Sequence, residues 1–185
     1  MALRVIAGTA GGRKLVAPKG DVRPTTDRLK EALFSSLGPR VHDATVLDLY
    51  AGSGALAIEA LSRGAGRAVL VDSDRVATAA IRANLATTGF ENAARVERIS
   101  VERFVTAPIR DAPFDLVFLD PPYEVENAVV AGVLAALAAT EAVTDGATVV
   151  VERAKGGEPV ALPDGWDIEK ERAYGDTLLI VARAG

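Results

Sequence analysis

Apolar and polar positions follow two different periods along most of this chain. From about residue 45 onward, short continuous apolar runs typical of buried strands alternate with stretches that have the spacing or alanine content of helices. The predicted strands cover residues 46–50, 68–72, 94–99, 114–120 and 147–152. The predicted helices cover residues 54–62, 75–87, 101–105 and 125–139. Two further runs, 168–172 and 177–182, are separated by Tyr174-Gly175-Asp176 and predict a closing antiparallel pair.

Repeated strand–helix units predict an α/β fold in which a mostly parallel sheet is covered by helices on both faces. In open sheets of this kind, ligands bind at the carboxyl ends of the strands. The residues that directly follow the predicted strands are therefore the first candidates for a functional site.

The first 40 residues follow a different pattern. Apolar residues in 3–7 and 14–17 flank a glycine-rich turn, which predicts a small β-hairpin. An isolated hairpin is marginally stable in water, so we expect it to pack against the domain or a ligand. Thr25 or Thr26 can cap a following helix that ends at Gly38-Pro39. The apolar face of that helix consists of Leu29, Leu33, Phe34 and Leu37.

Composition narrows the class of protein. The 185 residues correspond to one ordinary domain, and the chain has no cysteine and one histidine. Disulfides and cysteine nucleophiles are therefore absent, and we expect no metal site. The opening residues are too quickly polar for a signal peptide, and no apolar run approaches the length of a membrane span. We expect a soluble, cytoplasmic protein with no membrane partner.

Charge is distributed unevenly. The net charge is −4, yet residues 1–40 carry eight Lys or Arg against three acids, whereas the remainder carries an excess of acids. A basic arm on an acidic body is a local electrostatic footprint for a polyanion, although an ordinary solvated arm has the same composition. Arg23 and Arg28 lie on either side of the predicted helix start, where anions are already favoured.

The most informative stretch is Asp120-Pro121-Pro122-Tyr123, directly after an apolar run. Two successive prolines make a stiff turn, so the Asp120 carboxylate and the Pro121 carbonyl form a fixed pair of acceptors beside the Tyr123 ring. Such a group suits an exocyclic amine on a flat base, because two acceptors bind its hydrogens while the aromatic face stacks. We predict that this segment positions a nucleophile.

A second cluster, Asp48-Leu49-Tyr50-Ala51-Gly52-Ser53-Gly54, forms the first strand–turn–helix. Two glycines two apart allow a ligand to approach the backbone, but Ala57 stands where a dinucleotide-binding fingerprint requires a third glycine. No P-loop lysine is present. We expect the Asp48 carboxylate to point at this turn, where it would repel pyrophosphate and hold a cationic or amine-bearing ligand.

Asp72 ends the second strand, at the position from which an acidic residue grips a ribose diol. A nucleoside with a positively charged tail, and no phosphate, fits these features, and S-adenosylmethionine is such a ligand. Ser100 and Val101, at the end of the third strand, are expected beside the adenine. The polar residues there can equally cap a helix.

The chain resembles the RsmD-like family of bacterial 16S rRNA guanine-N2 methyltransferases. The resemblance rests on the segments just described and on a block that is specific to the family, Arg23-Pro24-Thr25-Thr26-Asp27-Arg28. Tyr50 and Asp72 stand where the family has Phe and Glu, and both keep the chemistry. The glycine loop and the Asp-Pro-Pro-Tyr motif by themselves indicate only an amino-group methyltransferase.

The resemblance implies a seven-stranded Rossmann-like class I methyltransferase sheet with an N-terminal β-hairpin extension. Residues 1–40 become an RNA-binding extension and residues 41–185 the methyltransferase domain. The implied reaction moves a methyl group from S-adenosylmethionine to N2 of a 16S rRNA guanine, of the type that modifies guanine 966, and leaves S-adenosylhomocysteine. The partner is 16S rRNA within an assembling 30S subunit, and we expect a monomer.

Site residues follow from the motifs and the resemblance together. The expected catalytic residues are Asp120, Pro121, Pro122 and Tyr123. The expected cofactor-binding residues are Asp48, Tyr50, Ala51, Gly52, Ser53, Gly54, Asp72, Ser73, Ser100, Val101 and Asp120. The expected RNA-binding residues are Arg13, Lys14, Arg23, Thr25, Thr26 and Arg28, of which Arg23, Thr25 and Thr26 can instead line the cofactor pocket.

Two other functions remain open at this point. Adenine-N6 methylation of DNA or RNA needs the same acceptors, because adenine also carries an exocyclic amine. A non-catalytic RNA-binding assembly factor can keep the cofactor fold, and it would fail to bind S-adenosylmethionine.

Overall fold

The computed structural model describes residues 3–18 and 27–185. Its seven strands are β1 (Thr45–Leu49), β2 (Arg67–Asp72), β3 (Ala94–Arg98), β4 (Phe114–Leu119), β5 (Val143–Ala154), β6 (Asp167–Tyr174) and β7 (Thr177–Arg183). They form one sheet in the order β3-β2-β1-β4-β5-β7-β6. Strands β1 to β5 pair in parallel, while β7 is antiparallel to both of its neighbours. The predicted sheet and its closing antiparallel pair are confirmed.

Five α-helices are found in the described residues. They are α1 (Asp27–Leu37), α2 (Ala55–Ser62), α3 (Arg75–Thr88), α4 (Val101–Val105) and α5 (Asn127–Ala139), and a 3₁₀ turn, Gly38–Val41, follows α1. Apolar residues of α1, α2 and α3 pack in one cluster on one face of the sheet, and those of α4 and α5 pack in a second cluster on the other. On β1, Val46 packs in the first cluster and Leu47 and Leu49 in the second, as the two-residue period of a strand requires. None of these helices combines the length and apolar character that crossing a bilayer requires.

Several element ends differ from the sequence prediction for identifiable reasons. Tyr50 lies outside β1 because its φ is +62°, in the left-handed region. Helix α5 begins at Asn127 rather than at residue 125, because the Val125 N–H donates to the Pro122 carbonyl in a turn. Strand β5 begins at Val143, where its pairing with β4 shifts register before Leu116.

The predicted N-terminal hairpin is present, as an irregular antiparallel pairing rather than as two regular strands. Only one bridge, between Arg4 and Lys14, is found in the described part of this segment, supported by backbone hydrogen bonds such as Leu15 N–H to the Leu3 carbonyl at 2.8 Å. The segment packs against the domain, as expected. Leu3, Val5, Ala10 and Leu15 are buried in the same apolar cluster as α1 and α2.

Buried charges join this segment to α2. The Glu59 carboxylate, which is fully buried, accepts the Ile6 and Ala7 N–H groups at 2.7 and 3.1 Å and pairs with Arg63 at 2.7 Å. Lys30 of α1 is fully buried too, and its Nζ donates to the Arg4 carbonyl at 2.5 Å. The described part of residues 1–40 therefore shares a core with the rest of the chain, and the division at residue 40 stays a prediction about function.

Candidate active site

The candidate site lies where β2, β1 and β4 end side by side. Leu49 is in register with Val71 of β2 and with Leu119 of β4, so the residues that follow these strands are neighbours. The Ala51 N–H donates to the Val71 carbonyl at 3.0 Å, and the Asp120 N–H donates to the Leu49 carbonyl at 3.4 Å. Backbone hydrogen bonds therefore hold the Asp-Pro-Pro-Tyr motif, predicted to bind the base, next to the strand and glycine loop that are predicted to bind the cofactor.

The glycine loop runs from Ala51 to Gly54, the residue before α2. Gly54 has φ +76°, and a Cβ there would lie 2.9 Å from Cδ2 of Leu70, so a larger residue would be strained and would have to displace that buried side chain. Gly52 has φ +57°, and among the described residues a Cβ there would meet the Tyr50 carbonyl alone, at 4.0 Å. The loop therefore leaves room above its backbone for a ligand.

Asp48 lies beneath this loop, and its surroundings differ from the expected direct ligand contact. Its side chain is buried, and Oδ2 accepts the Ala57 N–H at 3.1 Å, which satisfies a free donor at the start of α2. Burial raises the pKa of Asp48 well above its usual 3.8, and the nearby carboxylates of Asp120 and Asp72 raise it further. The cofactor-binding role of Asp48 stays a prediction, while its contact with α2 is a structural role that the sequence pattern did not indicate.

Asp72 holds the glycine loop from the neighbouring strand. Its Oδ2 accepts the Gly52 N–H at 2.8 Å, and its Oδ1 accepts the Asp74 N–H at 2.9 Å. Asp74, which sequence reasoning missed, caps α3 by accepting the Val76 and Ala77 N–H groups. Its position one residue before a helical pattern was the available signal. Ser73 lies between these two acids and is exposed.

The other expected cofactor residues line the same edge of the sheet. The Tyr50 hydroxyl donates to Oε1 of Glu102 at 2.9 Å, and burial, followed by this bond, raises the pKa of the phenol. Ser100 caps α4 by accepting the Arg103 N–H at 3.4 Å, so the alternative interpretation of this residue as a helix cap is confirmed. Val101 is buried in the core.

The Asp-Pro-Pro-Tyr motif follows β4 directly, as predicted. Asp120 is half-buried and Pro121 is buried, whereas Pro122 and Tyr123 are exposed. The Tyr123 side chain is 42% exposed, and its hydroxyl lies 3.2 Å from Oγ1 of Thr177 at the start of β7. The ring is therefore accessible to a flat partner while its far end is fixed.

Arg153 is a residue of this region that sequence reasoning missed. It lies near the end of β5 and is 7% exposed. Its guanidinium donates to the Val125 carbonyl at 2.6 Å, to Oδ1 of Asn127 at 2.7 Å and to the Pro122 carbonyl at 3.5 Å. Only its place in an otherwise apolar strand, directly after Glu152, set it apart in the sequence.

Asn84 of α3 is a second missed residue. It is fully buried, and its amide nitrogen donates to the Ser53 carbonyl in the glycine loop at 2.9 Å. The same side chain pairs with Val16, accepting its N–H at 2.7 Å and donating to its carbonyl at 2.9 Å. Asn84 thus connects the glycine loop to the N-terminal segment.

The expected RNA-binding residues are only partly described. Lys14 and Arg28 are exposed, and Arg13, also exposed, donates to the Thr87 carbonyl at the end of α3. Arg23, Thr25 and Thr26 lie outside the described residues. Lys30 is one of the eight cations of this arm, but burial removes it from any polyanion and lowers the pKa of its ammonium group.

The donor set fits S-adenosylmethionine better than a phosphate-bearing nucleotide. Asp48 and Asp72 lie on the adjacent strands β1 and β2, Asp120 directly follows β4 on the other side of β1, and the last two are close enough to raise the pKa of Asp48. A cation beside these carboxyl groups would favour their ionised forms, whereas a phosphate would oppose them. Within residues 3–18 and 27–185, no group of three or more His, Asp or Glu side chains is arranged to hold a metal ion.

Comparison with known proteins gives the family. The model of a family described as conserved hypothetical protein 95 matches residues 3–183. Ribosomal RNA small subunit methyltransferase D of Escherichia coli K12 is 37% identical over 175 residues, which cover 94% of this chain and 85% of that protein. The solved structure of Escherichia coli yhhF matches with a TM-score of 0.87 at 35% identity, covering 100% of this chain and 98% of that one.

A more distant structure, that of SMU.776 complexed with SAH, matches with a TM-score of 0.66 over 85% of this chain and 49% of its own. At 12% identity this likeness concerns the fold alone. The predicted Rossmann-like class I methyltransferase fold is confirmed by the sheet order and these neighbours. Since the family model covers nearly the whole chain, the protein belongs to the conserved hypothetical protein 95 family, the RsmD family of methyltransferases.

Proposed function

We propose that this protein, a member of a family of rRNA methyltransferases, transfers a methyl group from S-adenosylmethionine to the exocyclic N2 of a guanine in 16S rRNA. The observation that carries the proposal is the backbone contact between Asp120 and Leu49, which holds the Asp-Pro-Pro-Tyr motif beside the glycine loop. A base amine held by the first motif would then lie next to a ligand held by the second.

The residues that would hold the cofactor surround the glycine loop. Asp72 would accept the ribose hydroxyls, since each of its oxygens retains a lone pair beyond its present backbone bond. Tyr50, Ala51, Ser53 and Ser73 would line the remaining contacts, and a positive tail nearby would favour the ionised form of the buried Asp48 carboxyl group. When bound, S-adenosylmethionine supplies a methyl group on a positively charged sulfur.

The acceptor residues act on the guanine. The N2 lone pair is conjugated into the ring, so the amine is a poor nucleophile in its planar form. The Asp120 carboxylate and the Pro121 carbonyl would accept its two hydrogens, favour a pyramidal nitrogen and aim the lone pair at the methyl group. As the new C–N bond forms and the methyl–sulfur bond breaks, the nitrogen would become acidic and pass its proton to the Asp120 carboxylate, which already accepts that hydrogen. Tyr123 would stack on a base taken out of its own stack.

The test of this function is an assay of methyl transfer with identification of the product nucleoside. Purified protein is supplied with S-adenosylmethionine and, separately, with 30S subunits, assembling small-subunit particles, free 16S rRNA and DNA. The proposal predicts N2-methylguanosine in rRNA, with no methylated adenine. Methylated adenine in DNA or RNA would support the adenine-N6 enzyme, and failure of calorimetry to detect S-adenosylmethionine binding would support a non-catalytic assembly factor.

The exposed cations of the N-terminal segment provide the RNA contact in this proposal. Replacing Lys14 or Arg28 by Ala should weaken RNA binding and reduce its salt slope by about one unit for each phosphate that the side chain neutralises. Arg110→Ala is the matched control. Arg110 is exposed and lies before the start of β4, whereas the site lies beyond the end of that strand. An unchanged affinity and salt slope in the Lys14 and Arg28 variants would remove this segment from the RNA site.

A further inference from the structure

A buried arginine on β5 has no direct part in the proposed methyl transfer. Arg153 is surrounded by protein, yet its side chain carries a guanidinium group with five N–H donors. A buried charge is costly unless hydrogen bonds compensate it, so the contacts of this side chain are informative. Among the described residues its three acceptors belong to the segment from Pro122 to Asn127, which begins inside the catalytic motif and continues to the next helix.

The chemistry of that segment explains why a multiple donor is needed. Pro121 and Pro122 have no N–H, so this part of the backbone can be held by the body of the protein only through its carbonyl groups. The Pro122 carbonyl already accepts the Val125 N–H at 3.0 Å, and Arg153 donates to the same carbonyl and to that of Val125. The Val125 N–H closes the turn, and the guanidinium anchors that closed turn to β5 through its carbonyl groups.

The third hydrogen bond of Arg153 connects the turn to helix α5. Asn127 is the first residue of α5, and its Oδ1 accepts from Nε of Arg153 at 2.7 Å. The position of the catalytic motif is thus fixed relative to β5 on one side and α5 on the other. Tyr123, between the prolines and Val125, is held at its hydroxyl by Thr177 of β7.

We propose that Arg153 is a positioning residue of the methyl-transfer reaction, which fixes the Asp-Pro-Pro-Tyr turn in the geometry that Asp120 and Tyr123 need to hold the target base. This inference rests on the proposed function. Arg153 is too buried to contact RNA directly, and it acts through the backbone of residues 122–127. This positioning role requires several hydrogen-bond donors in one plane. Lysine carries a single ammonium group and cannot supply them.

The experiment compares Arg153→Lys and Arg153→Met with the wild type. Arg183→Met is the control, since Arg183 is an exposed arginine at the far end of β7, paired with Thr148 rather than with the site. Three quantities are measured: the single-turnover rate on the rRNA substrate, the Kd for S-adenosylmethionine, and amide hydrogen exchange in residues 122–130 and 46–58. Melting temperatures show whether each variant is folded.

We expect both Arg153 variants to lose at least about tenfold in single-turnover rate at saturating RNA, with the Kd for S-adenosylmethionine unchanged within about twofold. Exchange should accelerate in residues 122–130 and stay unchanged in residues 46–58. Arg153→Lys should fall short of wild type even though it keeps the charge, and this variant decides the matter if Arg153→Met does not fold. Arg183→Met should match the wild type in all three measurements.

The proposal would be overturned by a folded Arg153→Lys protein whose rate and exchange match the wild type. It would also be overturned if the rate and the S-adenosylmethionine affinity fell in parallel, because that result indicates a general loss of structure. The exchange measurement needs no RNA, so it tests the role of Arg153 separately from the proposed function. Lack of N2-methylguanosine formation by the wild-type protein would refute the function alone.

Discussion

The two halves of the candidate site are held in place by groups of opposite charge. On the cofactor half, carboxylates accept backbone N–H groups: Asp48 accepts from Ala57, and Asp72 accepts from Gly52. On the acceptor half, the guanidinium of Arg153 donates to backbone carbonyls after the proline pair. The difference follows from the hydrogen-bonding groups of each backbone segment. A glycine loop before a helix has free N–H donors, whereas two successive prolines have no N–H group.

The two halves should respond differently to pH and to ligands. The pKa of Asp48 is raised by burial, so its charge depends on pH and on any cation bound above it. The turn of the acceptor half is held by hydrogen bonds from a guanidinium to two backbone carbonyls and an amide oxygen, and none of these acceptors is a carboxylate. We therefore expect pH to act on the cofactor half, and backbone geometry to limit the acceptor half.

The largest effect is expected when the acceptor half loses its carboxylate. Asp120→Ala should lower the methyl-transfer rate by about 10²–10⁴-fold, because the amine then loses its main acceptor. Cofactor binding should change little, since Asp72 and the glycine loop remain. Single-turnover kinetics and calorimetry measure the two quantities separately. Normal turnover in this variant would refute the catalytic assignment of Asp120.

A change at Asn84 should act on the cofactor half instead. Asn84→Ala leaves the Ser53 carbonyl and both backbone groups of Val16 without their buried partner, which costs roughly 1–3 kcal/mol for each group left unsatisfied. We expect a lower melting temperature and an approximately tenfold weaker Kd for S-adenosylmethionine. The single-turnover rate at saturating cofactor should stay near wild type. A large fall in that rate with normal cofactor affinity would contradict the separation of the halves.

Asp48→Asn tests the pH dependence of the cofactor half. A carboxyl whose pKa is raised on folding stabilises the protein fully below its unfolded pKa, and this contribution is lost as the pH rises through the folded pKa. The asparagine does not titrate, so the stability of the variant relative to wild type should rise with pH above the usual 3.8 of Asp48. Denaturant unfolding across this pH window measures the difference. A difference that is constant with pH would show that Asp48 does not titrate in this window.

The smallest effect is expected at the edge of the acceptor half. Thr177→Val removes the hydroxyl that contacts Tyr123, and a single exposed hydrogen bond contributes on the order of 1 kcal/mol or less. We expect a twofold to fivefold fall in rate with an unchanged Kd for S-adenosylmethionine. Thr144→Val is a suitable control, because Thr144 lies near the start of β5, at the end of the sheet away from the site, and contacts Asp115. Equal effects of the two substitutions would remove Thr177 from the site.

The fold was largely predictable because the local spacing of hydrophobic residues along the chain indicates the strands and helices. All predicted strands from residue 46 onward are present, and the motifs ending β1, β2 and β4 come together as parallel pairing requires. The N-terminal hairpin was less predictable. Gly8 to Gly12 indicate a turn, but they cannot show that a carboxylate of α2 accepts the backbone N–H groups of Ile6 and Ala7.

The sequence by itself determined the α/β architecture, the edge of the sheet that carries the site, and the residues of its two motifs. The tertiary structure alone decided which side chains hold those motifs in place. Arg153 is 31 residues from Pro122, and Asn84 is 31 residues from Ser53. Such contacts leave no local spacing in the sequence, because they depend on how distant strands and helices are arranged in the finished fold.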